Sequence, residues 1–244
     1  HRVLMGDTAR DTVWKRLAEM LAENWTHASG AAMPLARFAL DTGFATQEAY
    51  AFVRACRDPR VMAVKGVPRG AALIGTPTAI DVSQGGKKLR RGIKVYTVAV
   101  SIAKLEFYNN LRKSADVGED GLTTVFPAGF VHLPKIDAEF IQQLCAEQLI
   151  TRRDRNGFPV REWQKMRERN EALDCYVYAR AAAAAAGLDR FEDRHWLELE
   201  KQLGVGPPLN AQQITAPEAT QEQRFDGGLS TSGGTKPNPR RVVR

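Results

Sequence analysis

Ala36-Arg37-Phe38-Ala39-Leu40-Asp41-Thr42-Gly43, the segment from Thr46 to Cys56, and Val61-Met62-Ala63-Val64-Lys65-Gly66 together decide the fold class of this chain. The first and last are short apolar runs that stop at a polar turn, the pattern of buried strands. The middle segment carries Ala49, Tyr50, Phe52 and Val53 at helical spacing, with Thr46 placed to cap it. Strand, helix and strand in succession make a βαβ unit, so the class is α/β.

Toward the N-terminus, Val13, Trp14, Leu17, Met20 and Leu21 recur at spacings of three and four, which predicts a helix over 7–23 capped by Asp7 or Thr8, followed by a loop over 24–34. Toward the C-terminus, residues 67–134 turn rich in Gly and Pro and read as a hairpin-bearing insertion with a strand over 93–100. Helices are expected over 101–113, 137–150, 162–186 and 189–203. The third of these has a stripe of Trp163, Met166, Leu173 and Val177, six alanines from Ala181 to Ala186, and Gly187 as its stop. This makes residues 1–204 one folded domain. The remainder, 205–244, is Pro, Gly, Ser, Thr and Gln with too little apolar content to fold, and is expected to be a disordered tail. The opening His1-Arg2-Val3-Leu4-Met5-Gly6 reads as the end of an apolar strand, as if the domain lacked its first strands.

Of the 244 residues 43% are apolar, enough for a core, and no run approaches the ~18 to 20 apolar residues of a membrane span. Lys and Arg outnumber Asp and Glu by 35 to 28, a net charge of +7 that favours a polyanion or an acidic surface as partner. Cys56, Cys145 and Cys175 are widely spaced with no CxxC or paired-His arrangement, which points to a reducing cytosol and away from a disulfide framework or zinc site. There is no GxxxxGK[ST] loop, GxSxG elbow or HExxH helix, and neither His132 nor His195 has a ligand-spaced partner. Serine-hydrolase and zinc-protease chemistry are thereby disfavoured.

Four places could carry chemistry. Asp41 ends a buried strand, where α/β sheets open a crevice for ligands, and where an Asp equally often caps the next turn. Asn170, Asp174 and Tyr178 share one helix face beside the apolar stripe of Leu173 and Val177, so Asp174 needs a metal, a proton or an Arg partner. Lys104 falls in the first turn of a helix if Ser101 is its cap, opposing the helix dipole; either it is an exposed cation that tolerates the penalty, or an anion such as a phosphate compensates it. Lys87, Lys88, Arg90, Arg91 and Lys94 lie among glycines without an acid, either a solvated hairpin tip or a grip on a phosphate backbone.

In order along the chain, Gly6-Asp7-Thr8 with Val13-Trp14, Phe38-Ala39-Leu40-Asp41-Thr42-Gly43, Val64-Lys65-Gly66, Ala103-Lys104 with Tyr108 and Leu111, Gly129-Phe130-Val131-His132-Leu133-Pro134, and Arg169-Asn170-Glu171-Ala172-Leu173-Asp174-Cys175 with Tyr178-Ala179 resemble the nuclease domain of lambda-type phage terminase large subunits. The resemblance runs in register from residue 1 to about 190. It implies a ribonuclease H-like mixed sheet flanked by helices, and a site where Asp41 and Asp174 hold Mg²⁺ or Mn²⁺ for two-metal hydrolysis of DNA. It further implies double-stranded DNA as substrate, the small terminase subunit and the portal as partners, and the host cytoplasm as the place of action. The family supplies another acid from an earlier strand in a Gly-Ile-Asp-Val-Gln-like segment, which has no counterpart here, so the site is expected to be incomplete. Where the family often has Asp three residues before the Lys of its Thr-Ala-Lys motif, this chain has Ser101. A noncatalytic DNA-binding or portal-docking fragment, gripping phosphates through Lys87, Lys88, Arg90 and Arg91, is the competing expectation.

Overall fold

The computed structural model describes residues 2–84 and 87–205, and the side chains of these except at 83, 84, 87–89 and 91. The elements run α1 (Asp11–Leu21), β1 (Asn24–Thr26), β2 (Ala32–Pro34), β3 (Phe38–Asp41), α2 (Thr46–Cys56), β4 (Val61–Val67), β5 (Thr78–Gln84), β6 (Lys87–Ala99), α3 (Val100–Asn110), β7 (Asp116–Val117), β8 (Thr124–Val125), α4 (Ala138–Leu144), β9 (Glu147–Arg153), β10 (Pro159–Lys165), α5 (Glu171–Ala185), a 3-10 turn (Leu188–Arg190) and α6 (Asp193–Leu203).

A four-stranded mixed sheet in the order β3-β4-β6-β5 forms the centre, with β3, β4 and β6 parallel and β5 antiparallel to β6. The alternation of a strand decides what each face meets. Val61 packs with Leu40 against Leu17 and Leu21 of α1 and Ala49 and Phe52 of α2. One residue on, Met62 and Val64 turn to the other face and pack with Val98 and Ala103 against Val177, Ala181 and Ala182 of α5. Helices therefore cover both faces, as short parallel strands with near-continuous apolar runs require. Complete burial of side chains such as Val64, Val98 and Val177 contributes roughly 1.5 to 3 kcal/mol each. A third cluster, Phe107, Leu144, Ala172 and Leu173, ties α3, α4 and α5 together.

The βαβ reading holds in place, and the edges around it differ from expectation. Thr46 opens α2 from inside, its hydroxyl donating to the Thr42 carbonyl, while Ala45 is the cap residue at φ 47°. Helix α1 starts four residues later than Asp7, and the expected loop over 24–34 contains the β1–β2 pair. The region 67–134 is not an appendage to the sheet, because β6 is one of its interior strands and carries the core residues Ile93, Val95 and Val98. The helix over 137–150 stops at Leu144, and the one expected from Glu162 begins only at Glu171. Between them, β9 and β10 form a separate antiparallel hairpin in which Trp163 faces Leu149. Cross-strand pairing in this hairpin overrode the local helical spacing of Trp163 and Met166. No helix among the described residues is long and apolar enough to cross a membrane. The tail beyond residue 205 lies outside the described residues.

Candidate active site

Asp41 and Ala39 share a face of β3, and Ala39 packs in the cluster that meets α5. The carboxylate of Asp41 is thus aimed at α5. It accepts the Gly43 N–H at 3.0 Å and the Tyr178 hydroxyl. The strand end that carries it is fixed by Thr42, buried, whose N–H and hydroxyl both donate to the Val64 carbonyl at 2.9 Å.

Asp174 sits in the first turn of α5, a position where the helix dipole favours a carboxylate. This differs from the mid-helix place that a helix from Glu162 would have given it. Asn170 precedes the helix, and its side-chain amide donates to Asp174 Oδ1 at 3.4 Å. Asp41, Asp174 and Tyr178 line one cavity of about 520 Å³, whose other walls are largely apolar: Leu4, Leu40 and Ala182 among them. Burial, then the charges of Asp41 and Asp174, push the Tyr178 phenol up from its ordinary value, so it remains a neutral donor between the two acids. Gly66 on β4 lies against Tyr178. A Cβ there would stand 2.7 Å from the Tyr178 oxygen, and the Gly66 N–H is a hydrogen-bond donor to that oxygen.

The other side of Asn170 leads to a second acid. Its amide also donates to Glu147 Oε1 at 2.9 Å, and Glu147 Oε2 takes the Lys104 ammonium at 2.6 Å. Both members of that ion pair are buried. Lys104 lies past the first turn of α3, which begins at Val100 with Ala99 as cap residue, and the Ser101 hydroxyl donates to the Pro68 carbonyl. The anion that answers Lys104 in this structure is therefore internal, the Glu147 carboxylate, and the buried pair lies on the wall of a cleft beside β10.

Of the basic run, Arg90 and Lys94 are exposed on β6, while the side chains of Lys87, Lys88 and Arg91 lie outside the described residues. Among the described residues, no group of three or more His, Cys, Asp or Glu side chains stands where it could hold a metal ion. Glu147 lies in a segment expected to be helix, 137–150, but opens strand β9. The turn Asp154-Arg155-Asn156-Gly157, with Gly157 at φ 83°, was the signal that could have revealed the hairpin and placed Glu147 on a strand.

Residues 1–196 match the family described as the endonuclease domain of the terminase large subunit gpA. The chain belongs to that family. The large terminase subunit of Escherichia phage lambda is 29% identical over 187 residues, and that of Enterobacteria phage P21 29% identical over 183, each match covering 74% of this chain. The chain spans 27% of the length of either relative. No solved structure matches. Within a terminase endonuclease domain, then, the chain brings Asp41, Asp174 and Tyr178 to one cavity and Glu147 and Lys104 to a buried ion pair beside it.

Proposed function

We propose that the chain is the metal-dependent DNA endonuclease domain of a phage packaging terminase, with Asp41 and Asp174 as catalytic residues and ligands of Mg²⁺ or Mn²⁺. The observation that carries this reading is the convergence of the two carboxylates, one from β3 and one from α5, on a single cavity. Mg²⁺ and Mn²⁺ take oxygen donors, and Mg²⁺ is commonly held by one or two carboxylates while substrate phosphates complete its shell. Beside Asp174, Asn170 Oδ1 is buried with no hydrogen-bond partner among the described residues, a further oxygen that a cation would satisfy. These donors fit one hard ion, and the second ion of a two-metal site would draw on substrate and on residues beyond these. Held by Asp41, Asp174 and Asn170 Oδ1, such an ion would supply Lewis-acid chemistry: a more acidic water and stabilised charge on the phosphoryl group.

The chain's own residues do the positioning. Tyr178 and the Gly43 N–H orient the Asp41 carboxylate, and the Asn170 amide orients Asp174. The neutral phenol keeps its proton through the working pH range and so remains a donor to Asp41 throughout. The substrate of this reading is concatemeric double-stranded viral DNA, cut during genome packaging in the host cytoplasm, with the small subunit and portal as partners.

The test is nicking of supercoiled plasmid by the full-length protein in Mg²⁺ or Mn²⁺, compared with Asp41→Asn and Asp174→Asn. Loss of cutting in both supports the site; cutting at the parental rate by both sinks it. Salt-sensitive DNA binding that survives both substitutions, with no cleavage under either metal by the parent, supports the noncatalytic docking reading instead.

A further inference from the structure

A second, larger cleft of about 1010 Å³ opens between the β9–β10 hairpin, the start of α3 and the loop after β4. We infer that this cleft, lined by Arg69, Arg161 and Lys165, is the path along which one strand of the DNA backbone reaches Asp174. The inference deepens the nuclease reading and rests on it for the identity of the polyanion.

Charge is the first argument. The acids on the cleft wall are Glu147 and Glu162, and each already has its own cation: Glu147 holds Lys104 at 2.6 Å, and Glu162 holds Arg152 at 2.5 Å. Arg69, Arg161 and Lys165 are exposed, and among the described residues none of the three has an ion-pair partner. The Arg69 guanidinium donates to the Arg161 main-chain carbonyl at 2.9 Å, which holds the Arg69 cation against β10. Exposed cations with no acid partner are free to take a phosphate through charge-assisted hydrogen bonds.

Geometry is the second. Strand alternation puts Arg161, Trp163 and Lys165 on one face of β10, and all three line the cleft. Four residues of strand separate the two cations by about 13 Å, the axial length of about four nucleotides of one DNA strand. An extended polyanion suits that spread better than a single small phosphate. Trp163, stacked on Tyr108 with ring centroids 5.3 Å apart, gives the cleft a rigid apolar wall between the cations.

Position is the third. Pro68 and Val100 place the cleft at the carboxyl ends of the parallel strands β4 and β6, the same edge of the sheet on which Asp41 ends β3. Crevices at that edge are where α/β sheets bind ligands. Glu147 belongs to the cleft wall, and one amide, that of Asn170, spans from Glu147 to Asp174. A strand held by Arg161 and Lys165 would thus lie beside the Glu147–Asn170–Asp174 relay.

The test measures binding without cleavage. A fluorescent DNA duplex is titrated with the full chain in EDTA at several salt concentrations, using the triple variant Arg69→Ala, Arg161→Ala, Lys165→Ala. The expected result is an affinity at least about tenfold weaker near ~100 mM salt, and a log–log salt slope shallower by about 2 to 3. The charge-keeping variant Arg69→Lys, Arg161→Lys, Lys165→Arg should restore most of the binding, which separates charge from misfolding. A control that removes three cations elsewhere, Lys15→Ala, Arg16→Ala and Lys201→Ala, should change both quantities little. Unchanged affinity and slope in the cleft variant, or an equal loss in the control, overturns the inference. Because EDTA removes cleavage from the readout, weak binding by the cleft variant upholds the path even if the parent never nicks DNA. Conversely, full binding by that variant alongside metal-dependent nicking removes the path and leaves the nuclease reading intact.

Discussion

On either side of Asn170 lie acids built for opposite ends. Glu147 is buried with a lysine ammonium against one oxygen and an amide against the other, so its charge is answered inside the protein. Asp41, across the helix end, meets a peptide N–H and a phenol, donors that orient a carboxylate without neutralising it. A carboxylate that has its own cation has its charge answered within the fold; one held by neutral donors does not. The two kinds of site share a helix terminus, and the difference between them can be broken experimentally.

The largest effect should come from the buried pair. Lys104→Ala leaves Glu147 buried without its cation, and should cost about 3 to 5 kcal/mol of unfolding free energy in urea denaturation. Replacing the pair together, Lys104→Met with Glu147→Leu, should recover most of that loss. If the double variant is as unstable as the single one, the pair is not the closed unit described above.

On the open side the order of effects reverses, with activity lost and stability kept. Asp41→Asn or Asp174→Asn should slow metal-dependent nicking by more than about 100-fold, since even outer partners of metal ligands matter by 10- to 100-fold. Their urea midpoints should stay near the parent's. A destabilisation as large as that of Lys104→Ala would place these acids with Glu147 as structural.

Gly66→Ala probes the contact with Tyr178. Its Cβ would collide with the Tyr178 oxygen at 2.7 Å, so a loss of about 1 to 3 kcal/mol is expected, together with slower nicking as the phenol leaves Asp41. Normal nicking in a destabilised Gly66→Ala protein would show that Tyr178 does not position Asp41.

The smallest effect is a pH dependence. Burial and two nearby carboxylates raise the Tyr178 phenol above its unfolded value near ~10. The stability from that group is therefore complete below pH ~10 and is lost as pH rises toward the folded value, because the unfolded chain releases the proton first. Tyr178→Phe should flatten part of the fall in melting temperature between pH ~9 and ~11.5, leaving the share of Tyr108 and Tyr176, whose phenols are also raised by burial. An unchanged alkaline slope would mean that Tyr178 does not carry this shift.

Part of the open side was legible because its geometry is local: a strand that stops at Asp41, and Asn170, Asp174 and Tyr178 at spacings of four, each place their side chains by period, while the pairing of Asp41 with Asp174 came from the resemblance to the terminase family. The buried pair was not legible, because the place of Glu147 depends on its pairing with Lys165 at the far end of the β9–β10 hairpin. Trp163 and Met166 happen to fall in helical register with Leu173, and only the turn at Asp154-Arg155-Asn156-Gly157 weighs against it. The position of β6 inside the sheet escaped for the same reason, its partner β4 being distant in sequence.

The alanines that end α5 decide how firmly the open side is held. Ala181 and Ala182 are buried where α5 meets the sheet, and Ala39 of β3 packs into the same cluster. A methyl has no rotamers to lose, whereas ordering a long side chain at such a contact forfeits up to about 2 kcal/mol of conformational entropy. The helix therefore docks close and in a single way. The distance between the backbones that carry Asp41 and Asp174 is set by side chains too small to have an alternative arrangement.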